Sequence, residues 1–227
     1  FMGMRILFVL VHGNHGHNSN FDHWAECLRK SFPEALILQS ECNQRLRTHD
    51  GILKLGDRLA MEVLTFLQRL TTEPTHLVMI GHSLGGLIIR AALPKILEDT
   101  RLIPCSYFSL STPHLGSRRP CGTVAYNMWR GAVHTVLQYL NGPTGHELLQ
   151  DDPEQVLQLL SNPKGIYTAA LRRFSHQTVM AITHGDWLVP FAAASLTPCD
   201  PHLELGTDAP LWSVASHSGF SGAAAMK

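Results

Sequence analysis

The sequence predicts an α/β fold, a mostly parallel central sheet flanked by helices, and three observations predict it. Apolar runs of strand length alternate with segments of helical period along the chain. The strand-length runs are continuously apolar, as strands buried on both faces are. One of them passes through a glycine-rich turn, Gly81-His82-Ser83-Leu84-Gly85, directly into a helical stretch.

In chain order the strands are Ile6–Val11, Ala35–Gln39, His76–Gly81, Cys105–Leu110 and Thr178–Thr183. Either Leu203–Leu205 or Trp212–Ala215 supplies a last one. Between the first two strands, Trp24, Cys27, Leu28 and Phe32 fall on one face of a helix that Asp22 is placed to cap. Ile52, Leu55, Leu59, Val63, Phe66, Leu67 and Leu70 repeat at helical spacing through a longer helix, and Leu84–Leu97 forms the helix after the glycine-rich turn. Both apolar stripes read as packing surfaces. From 117 to 174 the alternation stops: Val124–Leu140, Pro153–Leu160 and Tyr167–Phe174 read as helices separated by Gly142-Pro143, Asn162-Pro163 and Gly165. A helical insertion between two sheet strands is a natural lid over a pocket.

Length and composition bound the rest. The 227 residues suit a single domain, 1–227, with the insertion inside it. Apolar residues make up 44% and charged residues 16%, enough for a sizeable core and against disorder. Lysine plus arginine equals aspartate plus glutamate, 18 against 18, which gives no electrostatic reason to expect a nucleic-acid partner. Cys27, Cys42, Cys105, Cys121 and Cys199 are odd in number and widely spaced, indicating neither a disulfide framework nor a zinc site. Reduced thiols and an intracellular, cytoplasmic location are the expectation. The first apolar run is too short to span a bilayer and leads into His12-Gly13 without a small-residue cleavage site. The chain opens on Phe1, and 222–227 reads as unstructured, so either end is open to trimming or added residues.

The chemistry centres on Ser83. Gly81-His82-Ser83-Leu84-Gly85 fits the Gly-x-Ser-x-Gly nucleophile elbow, with the required strand before it and helix after it. That context predicts an α/β-hydrolase fold and a serine nucleophile. The Leu84 N–H lies at a helix start, where amides lack intrahelical partners, and is available to an oxyanion. A second donor is expected from His12-Gly13-Asn14-His15-Gly16 after the first strand: the Asn14 N–H, with the His15 N–H as alternative. A serine hydroxyl needs a base, and the base an orienting acid, in the chain order Ser, Asp or Glu, His. Asp186 follows the strand Thr178–Thr183 and is the acid. His202 and His217 lie downstream; His217, in Ser216-His217-Ser218-Gly219 after the possible last strand, is the preferred base. His12 reads as structural. No metal or organic cofactor is called for.

These motifs resemble those of the putative serine esterase family of lipase-like α/β-hydrolases, first catalogued as a domain of unknown function. The resemblance rests on Val11-His12-Gly13, Gly81–Arg90, Ser111-Thr112-Pro113-His114-Leu115-Gly116-Ser117, Thr144-Gly145-His146-Glu147-Leu148 with Asp151-Asp152, and Gly185-Asp186-Trp187-Leu188-Val189-Pro190. It implies hydrolysis of carboxylic esters, with acylglycerols or phospholipids as substrates, a triad of Ser83, Asp186 and a late histidine, and a structural His114. Separately, the apolar residues Val133, Val136, Leu137 and Leu140 of the lid are an expected peripheral contact with a lipid surface. Two departures stand out: Asn14-His15 replaces a commonly apolar site, and the C-terminal end matches poorly. Two alternatives use the same fold, a thioesterase or protein deacylase with the same triad and a catalytically silent interaction module.

Overall fold

The computed structural model describes residues 5–117, 128–129, 131–132, 134–136, 138, 141–183, 185–186 and 188–197, and the backbone of 212–218. Its strands are β1 (Ile6–Val11), β2 (Leu36–Gln39), β3 (His76–His82), β4 (Ile103–Leu110), β5 (His176–Ile182) and β6 (Trp212–Ser218). They lie in the order β2-β1-β3-β4-β5-β6. The first five are parallel; β6 pairs antiparallel with β5. The helices are α1 (Asp22–Ser31), α2 (Ile52–Gln68), α3 (Leu84–Asp99), α4 (Gly142–Leu149), α5 (Val156–Ser161), α6 (Ile166–Leu171) and α7 (Phe191–Ser195).

Side chains that alternate along β1 and β3 feed two cores. Leu7, Val9, Val11, Leu77 and Met79 pack with α2 and α3 on one face. Phe8, Leu10, Val78 and Ile80 pack on the other with Phe21 and Ala25. The five predicted parallel strands are all present with small shifts of boundary. Trp212–Ala215 falls in β6; Leu203–Leu205 lies outside the described residues. In α2 the predicted stripe is the buried face, with Ile52, Leu55, Leu59 and Val63 fully enclosed.

α1 departs from expectation. Asp22 does not cap it: the chain enters through a short 3-10 turn, Asn18–Phe21, and Asp22 is already helical, its Oδ1 accepting from Gln39 Nε2 at 2.9 Å. The buried positions are therefore Phe21 and Ala25, with Leu28 partly covered, while Trp24, Cys27 and Phe32 are exposed. The 3-10 entry rotates the helix away from the face that spacing alone suggests.

Within the stretch 117–174, α5 and α6 join the main core through Val156, Leu157, Leu160 and Ala170, against α3. The described residues between 128 and 138 are helical. No helix among the described residues is long and apolar enough to cross a membrane.

Candidate active site

The glycine-rich turn carries the chain from β3 straight into α3. Ser83 stands between β3 and α3 with φ 53° and ψ −126°, a conformation a non-glycine residue adopts only when its surroundings enforce it. Enforcement comes from both sides. The Ser83 N–H donates to the Leu110 carbonyl at 2.8 Å. A Cβ on Gly81 would meet the Gly86 backbone nitrogen at 2.5 Å, and one on Gly85 would meet the Val11 carbonyl oxygen at 2.1 Å. Only glycines let strand, turn and helix pass this closely. The result is a half-buried serine at the C-terminal end of the central strand, with Leu84 opening a helix behind it.

The loop after β1 lies against the serine: a Cβ on Gly13 would come within 2.8 Å of Ser83 Cβ. The next residue, Asn14, is clamped by its side chain. Its Nδ2 donates to Asn141 Oδ1 at 2.5 Å, and its Oδ1 lies 2.9 Å from the Thr48 hydroxyl. That same hydroxyl accepts the His15 N–H at 3.2 Å. Of the two amides weighed as oxyanion donors, the one on His15 is thus already engaged.

Asp186 follows β5 by way of Gly185, whose φ of 88° turns the chain. Its Oδ1 accepts the amides of Leu188 at 3.0 Å and Val189 at 2.9 Å, which fixes the carboxylate. Burial lowers the pKa of His82, and the Asp186 carboxylate, within electrostatic reach, opposes that shift. Ser83 and Asp186 follow the C-terminal ends of the parallel strands β3 and β5 and so lie at the same end of the sheet.

His217 is not brought to that end. β6 runs antiparallel to β5, so Trp212 pairs with Ile182 near Asp186 and His217 pairs with Gln177. His82, the residue before Ser83, pairs with Leu110, which pairs with Met180, itself opposite Val214. Three strands across at about 4.8 Å and four residues down at about 3.4 Å put the His217 backbone roughly 20 Å from that of Ser83. The sequence could not show this, because it depends on the direction of the last strand. His202 lies outside the described residues.

His12 and His114 are buried. The His12 Nδ1–H donates to the Gly13 carbonyl at 3.0 Å, and burial holds its pKa below the usual imidazole value. His114 accepts from Arg90 at Nδ1 (3.2 Å) and donates from Nε2 to Ser109 Oγ (2.9 Å). Burial, with the Arg90 guanidinium beside it, lowers its pKa to about 3, so it stays neutral. Arg90 also donates to the Leu160 carbonyl at 2.8 Å, tying α3 to α5.

The sequence profile of the family described as "Putative serine esterase" matches residues 4–200. The chain belongs to that family. A Saccharomyces cerevisiae relative named "Putative lipase ROG1" is 30% identical over 204 residues, 84% of this chain and 28% of the yeast protein. "Putative lipase C4A8.10" of Schizosaccharomyces pombe is 24% identical over 206 residues, 84% of this chain and 26% of its own. The chain thus spans roughly a quarter of the length of these two relatives. A solved Bacillus licheniformis lipase, BlEst2 in its mature form, superposes on 62% of this chain and 53% of its own with TM-score 0.43 and 22% identity. With its parallel sheet and central strand–serine–helix turn, this serine esterase family member has the α/β-hydrolase fold.

Sequence reading of this family member missed the residues that brace the site. Thr48 and Asn141 hold Asn14 from 34 and 127 positions away, and no local pattern marks them. Glu147 sits in a family motif, yet its work is structural: Oε2 accepts the Ile52 N–H at 2.6 Å where α2 begins. Burial pushes that carboxyl up to about 7, against the opposing pull of the Ile52 amide. Thr144 Oγ1 accepts from the Gly51 amide (3.0 Å) and donates to the Thr48 carbonyl (2.7 Å), joining α4 to the same brace. Among the described residues no group of three or more histidine, cysteine, aspartate or glutamate side chains gathers as a metal centre.

Proposed function

We propose that this protein hydrolyses carboxylic esters of lipids, acylglycerols or phospholipids, through an acyl-enzyme on Ser83. The observation that carries the reading is the backbone of Ser83, held at φ 53° between a strand and a helix start. As Oγ attacks the ester carbonyl, the amides of Leu84 and Asn14 receive the developing oxyanion. One such donor contributes about 3 kcal/mol to the transition state. The engagement of the His15 amide by Thr48 favours Asn14 as the second donor. Asp186 orients and stabilises the histidine that takes the serine proton, and water then releases the acyl group.

The base comes from the segment after Asp186, where His202 and His217 are the two histidines. The register of β6 weighs against His217 and toward His202, which lies between α7 and β6 in the chain. Lipid substrates are supported by the names of the yeast relatives and by exposed Leu115 and Leu188, on the loops that follow β4 and β5. We take 117–174 as an insertion over the site within a single domain. Its α5 and α6 are anchored in the core, so we do not place the contact with a lipid surface on them. Val136 is exposed; Val133, Leu137 and Leu140 lie outside the described residues.

The test is direct. Wild-type protein should hydrolyse p-nitrophenyl esters and acylglycerols and react with a fluorophosphonate probe. Ser83→Ala, with an unchanged denaturation midpoint, should do neither. Turnover retained in that variant would remove Ser83 as nucleophile; an unreactive wild type would reduce the fold to a binding module.

A further inference from the structure

The loop after β1 carries a second constellation of polar side chains, and its effect on turnover rests on the function proposed above. His15 Nε2 lies 3.1 Å from His49 Nε2 and 3.1 Å from Asn141 Oδ1. The two imidazole rings meet edge to face with centroids 4.6 Å apart. His15 comes from the β1 loop, His49 from the 3-10 turn Arg45–His49, and Asn141 from the residue before α4. Three separate segments therefore converge on one point.

Hydrogen bonding satisfies that point only by sharing one proton. A ring nitrogen in the imidazole plane has one hydrogen position, so His15 Nε2 can donate to His49 or to Asn141, or accept from His49. Asn141 Oδ1 already receives Asn14 Nδ2. His15 Nε2 thus has a second nitrogen and an oxygen within 3.1 Å and one proton to share with them, an electron-rich cluster suited to a cation. The spacing fits as well. Two donors 3.1 Å apart, each at about 2.0–2.1 Å from an ion, subtend roughly 100° there, close to the tetrahedral angle.

The ligands are also held in advance. Asn141 is buried, and its carbonyl accepts the Gly145 amide at 3.2 Å. Thr48, next to His49, is tied to His15 through its hydroxyl and to Thr144 through its carbonyl. Pre-positioned imidazoles favour zinc, nickel or copper over magnesium or calcium, which demand oxygen ligands.

We propose that His15, His49 and Asn141 form a site for one divalent transition-metal ion, with water completing its coordination. Two imidazoles and an amide oxygen make it a micromolar site rather than a permanent structural one. Because Asn141 Oδ1 also holds Asn14, a bound ion competes with that brace, and turnover should fall as the site fills.

Calorimetric titration of the intact chain with zinc chloride tests this. One equivalent should bind the wild type with micromolar affinity, and magnesium should not. His49→Gln and His15→Gln should each weaken zinc at least tenfold while folding normally. Asn141→Asp, which replaces the amide oxygen with a carboxylate, should tighten it about tenfold, a gain that misfolding cannot mimic. The control is His23→Gln, since His23 Nε2 and Cys27 Sγ stand 3.7 Å apart on exposed α1. No zinc binding, binding lost in His23→Gln but kept in His49→Gln, or unchanged affinity in Asn141→Asp would each overturn the proposal.

Discussion

Gly85 packs so closely on Val11 that a Cβ there would sit 2.1 Å from the Val11 carbonyl oxygen, with the His12 carbonyl oxygen at 2.7 Å. Both obstacles are backbone of β1 and the residue after it, so neither can swing aside. Gly85→Ala should cost at least about 3 kcal/mol or prevent soluble expression, read as the shift in urea midpoint. A change under about 1 kcal/mol would mean the start of α3 does not lie on β1 as described.

The direction of β6 makes the two late histidines unequal. His202→Ala should remove esterase activity at an unchanged denaturation midpoint, while His217→Ala should keep activity within about twofold of wild type, well under 1 kcal/mol in barrier. The reverse pattern would show that His217 reaches Ser83 and that the last strand does not stay paired as Gln177 with His217.

Asp186 is fixed by two amides at one oxygen, bonds that an asparagine Oδ1 can keep. Asp186→Asn should therefore fold normally yet lower kcat by about 10³–10⁴, the effect of misorienting the base and leaving its cation uncompensated. A loss below about tenfold would point to another acid.

Thr48→Val leaves the shape of the brace but removes its hydroxyl from Asn14 Oδ1 and the His15 amide. We expect kcat to fall about tenfold, or about 1.4 kcal/mol, with KM little changed, because an oxyanion donor acts in the transition state. A rise in KM alone would instead place this loop in substrate binding.

Glu147 makes stability depend on pH. Its carboxyl is raised from an ordinary 4.5 to about 7, so the folded chain holds a proton that the unfolded chain releases. The stabilisation is fully present below pH 4.5 and is lost as pH rises through about 7. It is on the order of 3 kcal/mol. Glu147→Gln retains an acceptor for the Ile52 N–H and should flatten the stability curve between these limits. Equal pH dependence in both proteins would contradict the burial of this group.

The sheet and the elbow were legible because their signals are local. Apolar runs mark β1, β3, β4 and β5, and Gly81 is required by the Gly86 backbone that the strand-turn-helix itself brings close, although Gly85 is required by the backbone of β1. The exposed Trp24 and Phe32 were misread because a 3-10 turn ahead of α1 reset the phase of its apolar face. Periodicity reports relative angles along a helix and not where the helix starts.

By itself the sequence determined the α/β architecture, the strand–turn–helix that carries Ser83 and the loop that carries Asp186, since each depends on residues adjacent in the chain. Tertiary structure decided what lies between distant segments. It brought Thr48 and Asn141 around Asn14, set His15 against His49, and carried His217 away from Ser83. Those outcomes depend on strand direction and on side chains far apart in the chain, where hydrogen-bond geometry selects partners that no local pattern records.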